Sequence, residues 1–375
     1  MRVIISAAGT GGHINPGIAI ANKIKERDPN SEIMFIGTNR GLENDLVPRA
    51  GYKLKTIEVY GLKKEISITN FKHIIQSINS RKDVKKIFDE FKPDIVIGTG
   101  GYICGPVFYV AIKQNIPTLL HESNAYPGKT VKLLSKKVDK ILVGFSETKE
   151  KLQGCKKVVV TGTPTKVRKI NITEKRKKEI LADLGIKNDL PLVLIFGGSQ
   201  GAQRINESVV DLIKNKKNKD YQIIWATGPK QYDNVKESFE KDDMFINSVK
   251  NLKVVPYIYN MEEMLNISDL LVCRSGAMTI TEISIVGKPA IFIPLPSMSA
   301  NRQEDNAMVL KKIGAAKIIL NDEITGDRLA EEIDDIIFEH QELEDMGKVA
   351  NSIAPSNVEE KIYSEIVDLL KKKNK

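Results

Sequence analysis

Short apolar runs alternate with longer mixed stretches along most of the chain. The runs "RVIISAA" (2–8), "EIMFIG" (32–37), "DIVIGTGG" (94–101), "PTLLHES" (117–123), "KILVGF" (140–145) and "KVVVTG" (157–162) come first. Each is brief, rich in β-branched residues and closed by glycine, proline or polar residues, as strands buried in a parallel sheet are. The pattern restarts at "LPLVLIFGGSQGA" (190–202) and continues through "YQIIWATG", "LKVVPYI", "DLLVCRSGA", "KPAIFIP" and "AAKIIL". Two successive strand–helix series predict an α/β protein of two doubly wound, Rossmann-like domains.

The expected division is 1–165 and 166–355, the boundary lying between Gly162 and the polar segment that begins near Asn171. Beyond Pro355, the residues Val358, Ile362, Ile366, Leu369 and Leu370 share one helical face, which predicts a terminal helix over 356–372. The sequence does not fix which domain this helix joins; packing back on the first is the reading carried forward.

Glycine turns close three of the predicted strands, at 9–12, 98–101 and 197–201. Open α/β sheets bind ligands at such carboxyl ends, and a helix starting there aims free N–H groups at an anion. The first turn, "GTGGHINPG" (9–17), is not a dinucleotide fingerprint. The sixth position from Gly9 is Ile14, and the second strand ends in Gly37, Thr38 and Asn39 where an acid is required. Two sheets facing a central cleft, with phosphate-friendly turns on both walls, suit a two-substrate enzyme whose substrates both carry anionic groups.

"VCRSGAMTITE" (272–282) carries the sharpest signal. Small residues Ser275, Gly276 and Ala277 open a helix directly after a strand, and Glu282 follows six residues past Gly276, about 9 Å along a helix. That is about the spacing from a diphosphate to the ribose hydroxyls of a nucleotide; the plain alternative for Glu282 is a solvated face. "YPGKT" (126–130) resembles the end of a phosphate loop, but Ser123 stands where that motif needs glycine, which argues against ATP hydrolysis.

Of four histidines, His73 and His340 lie on polar helical stretches and are expected to be inert. His13 and His121 follow predicted strands at the site. An imidazole, with an ordinary pKa of about 6.5, is a fair general base, and His13 could equally only brace its turn. No Asp-x-Asp or Cys/His spacing suggests a metal, so a metal-free mechanism is expected.

Composition adds bounds rather than chemistry. With 41% hydrophobic and 28% charged residues the chain reads as an ordinary globular protein, and no apolar run approaches the roughly 20 residues of a membrane span. The chain opens directly on a strand, so no cleavable signal peptide is expected. Cys104, Cys155 and Cys273 are scattered and odd in number, which points to a reducing compartment, by default the cytoplasm. The net charge of +9 sits largely in runs such as 175–178, 214–219 and 371–375, read as solvated faces or as attraction to phosphates or acidic lipid. Only 6% of residues are aromatic and no nucleic-acid module is present, so no nucleic-acid partner is expected.

Two helical stretches stand apart. Val84, Ile87, Phe88 and Phe91 form a core-facing stripe. In 66–78, Phe71, Ile74, Ile75 and Ile78 also share a face, flanked by Lys63, Lys64, Lys72, Arg81 and Lys82. That face reads either as core or as a contact with an anionic membrane surface.

The segments "GTGGHINPG", "GTGGYICGP", "LHESNAYPG", "GGSQGAQRIN", "CRSGAMTITE" and "NRQEDNA" together resemble the MurG family, peptidoglycan glycosyltransferases that add N-acetylglucosamine to a lipid-linked muramyl pentapeptide. They run from residue 9 to residue 307 in order, across both domains. The resemblance implies a GT-B fold, UDP-N-acetylglucosamine as donor and lipid I, the undecaprenyl-diphosphate-linked muramyl pentapeptide, as acceptor. It implies inverting, metal-independent transfer to the muramyl C4 hydroxyl, giving lipid II at the cytoplasmic face of the cell membrane, with no cofactor.

By the same resemblance, Gly198, Ser199, Gln200 and Asn206 lie near the donor sugar and diphosphate, and Ile258 holds uracil through its backbone. Ser275, Gly276 and Ala277 hold the phosphates, Glu282 the ribose, and Gln303 and Asn306 the sugar hydroxyls. On the acceptor side stand Thr10, Gly11, Gly12, His13, Tyr102, Asn124 and Lys166, with His13 the favoured base and Glu122 a possible helper. Lys166 and Gln203 stand where the family commonly has arginine, and a lysine supplies a point charge rather than a planar fork. The rival readings are an isomerase resembling UDP-N-acetylglucosamine 2-epimerase, a glycolipid glycosyltransferase of the same fold, and a basic, non-catalytic binding protein.

Overall fold

The apolar runs are strands; all but β7, β10 and β13, which are edges, lie in the interior of a sheet. The computed structural model describes residues 1–60, 68–152, 154–155, 157–186, 190–217, 220–296 and 302–373, with side chains for all of these except 68–78, 247 and 373. The chain divides into two units, Met1–Thr165 with Pro355–Lys375, and Lys166–Ala354.

In the first unit the strands are β1 (Arg2–Ser6), β2 (Glu32–Gly37), β3 (Lys53–Thr56), β4 (Ile95–Gly98), β5 (Thr118–Glu122), β6 (Lys140–Val143) and β7 (Val158–Val160). They form one parallel sheet in the order β3-β2-β1-β4-β5-β6-β7. Ser6, the last residue of β1, pairs with Ile36 on one side and Gly98 on the other. The winding direction reverses between β1 and β4, so a crevice opens at their carboxyl ends. The helices are α1 (Gly11–Arg27), α2 (Glu43–Arg49), α3 (Ile68–Phe91), α4 (Cys104–Lys113), α5 (Lys129–Leu134) and α6 (Ser146–Glu150). Separate apolar clusters fill the two faces of the sheet, one around Phe88 and Phe108, the other around Phe35 and Ile24.

The second unit repeats the plan with β8 (Leu192–Phe196), β9 (Gln222–Ala226), β10 (Leu252–Val255), β11 (Leu270–Cys273), β12 (Ala290–Phe292) and β13 (Ala316–Ile318). The parallel order is β10-β9-β8-β11-β12-β13, with the reversal between β8 and β11. Its helices are α7 (Glu174–Asp183), α8 (Gln203–Lys214), α9 (Tyr232–Glu240), α10 (Met261–Ile267), α11 (Ala277–Val286), α12 (Gln303–Lys312), α13 (Gly326–Ile337) and α14 (His340–Ser352). Trp225 and Tyr221 are fully buried in its core.

The terminal helix α15 (Val358–Lys373) returns to the first unit. Val358, Ile362, Ile366 and Leu369 are buried in the same cluster as Ile24 of α1. Glu360 pairs with Lys23 at 3.0 Å and Arg27 at 2.7 Å, and Glu365 reaches Lys140 and Lys157. Together these contacts tie the last helix to the first helix and to β6.

Two features differ from the sequence reading. The stretches 66–78 and 84–91 were read apart, yet α3 runs unbroken from Ile68 to Phe91, because nothing in 79–83 breaks a helix. Its later part buries Val84, Phe88 and Phe91 as expected; the side chains of Phe71, Ile74, Ile75 and Ile78 lie outside the described residues. Strand β3 had no apolar signature because it is a largely exposed edge strand carrying Lys53 and Lys55. Among the described residues no helix is long and apolar enough to cross a membrane.

Candidate active site

In the first unit the expected residues Thr10, Gly11, Gly12, His13 and Tyr102 gather at the β1/β4 reversal. The chain leaves β1, turns through Gly9 and enters α1, whose N-cap Thr10 is extended and makes no side-chain capping bond. No acidic side chain occupies the first turn, so the helix start at Thr10, Gly11 and Gly12 is open to an anion. His13 sits one residue further, partly exposed. The Thr99 hydroxyl, just past β4, donates to the His13 carbonyl at 2.7 Å.

The imidazole is held by two neighbours. Its Nδ1 lies 3.2 Å from the carbonyl oxygen of Ala8. A carbonyl only accepts, so this contact is a hydrogen bond when Nδ1 carries the proton, which leaves the Nε2 lone pair available as a base. The ring also lies over Gly100, where the chain takes a φ of +108° and a Cβ would stand 2.7 Å from Cδ2. Tyr102 follows on the same loop, half-buried against the core.

His121 is different. It lies within β5 rather than after it and is fully buried. One ring nitrogen, Nε2, is 3.0 Å from the Gly162 carbonyl, and Nδ1 is 3.4 Å from the Ser123 hydroxyl. Burial holds its pKa down at about 4, so it is a neutral brace rather than a base. Glu122 is also turned inward. Its carboxylate accepts the backbone N–H of Asn124 at 2.9 Å and of Gly128 at 2.8 Å, together with the Asn124 side-chain amide. The expected helper of the base is therefore a fastener of the 122–128 loop, and Asn124, whose carbonyl accepts from Thr148, is positioned by it.

In the second unit the loops that follow β8 and β11, on either side of the reversal, carry the expected residues 198–200 and 275–277. The turn Gly198, Ser199, Gln200 is exposed. It is pinned because Gly201, with a φ of +76°, abuts the carbonyl of Thr227, leaving 2.1 Å where a Cβ would be. Asn206 does not point to a ligand. It is 3% exposed, donates to Thr227 and Gln231, and accepts from the Trp225 indole at 3.0 Å. Its amide joins α8 to β9 and the following loop.

After β11, Arg274 buries its guanidinium, which among the described residues meets neutral acceptors, the carbonyls of Ile293 and Pro294 and the side-chain oxygen of Asn321. Burial lowers its pKa from the usual guanidinium value. Ser275 was expected to hold phosphate, but its side chain is fully buried and its hydroxyl donates to the Gln303 carbonyl at 2.8 Å. Asn306, also fully buried, donates to the Ser275 carbonyl at 3.2 Å. These two bonds lash the start of α12 to the β11–α11 turn, so both residues shape the turn from behind. Helix α11 then begins at Ala277 with Gly276 as an N-cap that has no side-chain oxygen to offer. Glu282 stands partly exposed on its second turn. Gln303 accepts the Leu295 N–H on its side-chain oxygen at 2.9 Å. Ile258 is nearly buried, between the exposed Tyr257 and Tyr259. Lys166 is exposed at the start of this unit, and Gln203 bonds to Glu207 at 2.8 Å.

A glycosyltransferase family 28 N-terminal domain model matches residues 3–143, and a family 28 C-terminal domain model matches residues 192–362. The chain is 44% identical over 378 residues to the UDP-N-acetylglucosamine--N-acetylmuramyl-(pentapeptide) pyrophosphoryl-undecaprenol N-acetylglucosamine transferase of Acetivibrio thermocellus, spanning 100% of this chain and 99% of that one. It belongs to the MurG family of glycosyltransferases. The transferase of the same name from Halalkalibacterium halodurans is 41% identical over 99% of this chain and 100% of its own. The crystal structure of Acinetobacter baumannii MurG aligns with a TM-score of 0.75 at 26% identity, over 99% of each chain. A UDP-GlcNAc 2-epimerase from Neisseria meningitidis, bound to UDP-GlcNAc, aligns with a TM-score of 0.65 over 98% and 100% of the chains, at 16% identity. That second likeness is one of fold, the two-domain GT-B arrangement of parallel sheets that MurG proteins and epimerases share.

Proposed function

We propose that the protein moves N-acetylglucosamine from UDP-N-acetylglucosamine to the C4 hydroxyl of the muramyl sugar of lipid I, inverting the anomeric carbon and forming lipid II. The observation that carries this reading is identity above 40%, over essentially the whole chain, to transferases named for that reaction. The epimerase likeness reaches only 16% and speaks to fold.

The chemistry is divided between the units. In the first, Nε2 of His13 takes the proton of the acceptor hydroxyl as its oxygen bonds to the anomeric carbon of the donor sugar. The bond from that carbon to the β-phosphate oxygen breaks, and its electron pair leaves with UDP. In the second unit the open N–H groups at the start of α11 receive the growing charge on the diphosphate; one such donor is typically worth about 3 kcal/mol of barrier. Glu282 accepts from the two ribose hydroxyls, the backbone of Ile258 pairs with uracil, and Gln303 donates to a sugar hydroxyl. Gly198, Ser199 and Gln200 line the sugar and diphosphate. Asn206, Ser275 and Asn306 hold these groups in place. Thr10, Gly11, Gly12, Tyr102, Asn124 and Lys166 serve the acceptor and its diphosphate.

The acceptor is a membrane lipid, so the protein works at the cytoplasmic face of the membrane as a peripheral protein. The sequence pattern of 66–78, apolar residues at helical spacing flanked by lysines and arginine, supports this reading, as does Leu133, 73% exposed on α5 beside Lys129 and Lys132. Incubation with labelled UDP-N-acetylglucosamine and a short-chain lipid I analogue tests the proposal. Labelled lipid and free UDP should form only when both substrates are present. A changed sugar nucleotide without lipid would mark an epimerase, and label transferred to diacylglycerol but not to lipid I would mark another glycolipid enzyme.

A further inference from the structure

Glu43, on the first turn of α2, is fully buried. One carboxylate oxygen accepts the Thr38 N–H at 2.9 Å and the Thr38 hydroxyl at 2.6 Å. The other accepts the N–H of Gly9 at 2.9 Å. Among the described residues it forms no ion pair. A buried carboxylate met only by neutral donors is costly, and its place at the ends of β1 and β2 calls for a reason beyond closing a loop.

The Gly9 N–H belongs to the same peptide group as the Ala8 carbonyl, and that carbonyl is the partner of His13 Nδ1 at 3.2 Å. A trans peptide points its N–H and C=O in opposite directions. Glu43, the Ala8–Gly9 peptide and the imidazole therefore form one chain of hydrogen bonds. A carboxylate on the N–H side makes the carbonyl a better acceptor, since linked hydrogen bonds polarise one another.

We propose that Glu43 is a positioning residue for His13. Acting through the Ala8–Gly9 peptide, it holds the proton on Nδ1, keeps Nε2 free as the base and stabilises the imidazolium formed when Nε2 takes the acceptor proton. The arrangement does the work of the carboxylate in a Ser-His-Asp triad, with one peptide group interposed. This rests on His13 being the base of the proposed transfer.

Nitrogen NMR of the histidine-labelled protein, at a pH where His13 is neutral, reads the tautomer without any substrate. The wild type should show the proton on Nδ1, and Glu43→Gln should move population toward the Nε2-protonated form. In the transfer assay Glu43→Gln should lose on the order of tenfold to a hundredfold in kcat, with the KM for UDP-N-acetylglucosamine within about twofold. In a His13→Ala background the same change should cost nothing further, whereas a purely structural role gives additive losses. If the glutamine variant does not fold, Glu43→Asp, checked by circular dichroism, carries the test with a smaller shift in the same direction. An unchanged tautomer, or losses that add, overturns the proposal. A wild type inactive on both substrates counts against the transferase reading alone, because the tautomer is measured separately.

Discussion

The imidazole of His13 lies against Gly100, so closely that a Cβ there would be 2.7 Å from Cδ2 and 3.0 Å from Nε2. The two residues come from opposite sides of the β1/β4 reversal, so the glycine after β4 sets where the imidazole after β1 can lie, and with it the proposed base. Gly100→Ala should therefore push the ring aside, and its φ of +108° adds backbone strain of about 1–3 kcal/mol. Displacement of the base by about 1 Å should cost up to a hundredfold in kcat, approaching the loss in His13→Ala, with donor affinity nearly unchanged. Steady-state kinetics with each substrate varied in turn checks this; a raised donor KM with normal kcat would contradict it.

Glu282 should matter to the donor alone. Hydrogen bonds to a charged group contribute about 1.5–3 kcal/mol, so Glu282→Gln should raise the KM for UDP-N-acetylglucosamine about tenfold to a hundredfold and leave the acceptor KM unchanged. A 2′-deoxyribose donor should be a poor substrate for the wild type yet scarcely worse for the variant than the normal donor. Equal discrimination in both proteins would remove the ribose role.

Asn206 makes the opposite prediction. Its amide satisfies the Trp225 indole and the Thr227 carbonyl, so Asn206→Ala leaves buried polar groups unpaired at a cost of about 1–3 kcal/mol each. Urea unfolding should show the loss, while donor KM in folded enzyme changes little. A stable variant with a large KM defect would mean that the side chain meets the ligand directly.

Burial of His121 links stability to pH. Above about pH 6.5 the imidazole is neutral in both folded and unfolded chains and contributes no slope. Between pH 6.5 and about 4, the folded-state value, the unfolded chain takes a proton that the folded chain refuses. Stability should therefore decrease as the pH is lowered through this window, by about 3 kcal/mol in all at about 1.4 kcal/mol per unit. Urea titrations at several pH values should show the slope in the wild type and a weaker one in His121→Asn. Equal slopes would assign the loss to other groups.

Much of this was readable in advance, for physical reasons. β1, β4, β8 and β11 are buried on both faces, so burial wrote itself as unbroken apolar runs, and the glycines at their ends marked the carboxyl edge where ligands bind. The edge strand β3 was silent because it is largely exposed and carries Lys53 and Lys55 where a buried strand would be apolar. Side-chain roles were harder. Glu122, Asn206, Ser275 and Asn306 have residue types suited to binding, yet their partners lie at Gly128, Trp225, Gln303 and Ser275, contacts that only the fold creates. Glu43 was missed because the acid was sought at the end of β2 itself; it arrives from α2, six residues past Gly37.

A crystal structure of the protein with UDP bound is the most direct test of the donor assignment. The diphosphate should lie on the backbone of Gly276 and Ala277, with the ribose hydroxyls on Glu282 and uracil against the backbone of Ile258. Nucleotide found at the 9–12 turn of the first unit, or on the second unit away from residues 275–282, would contradict the account.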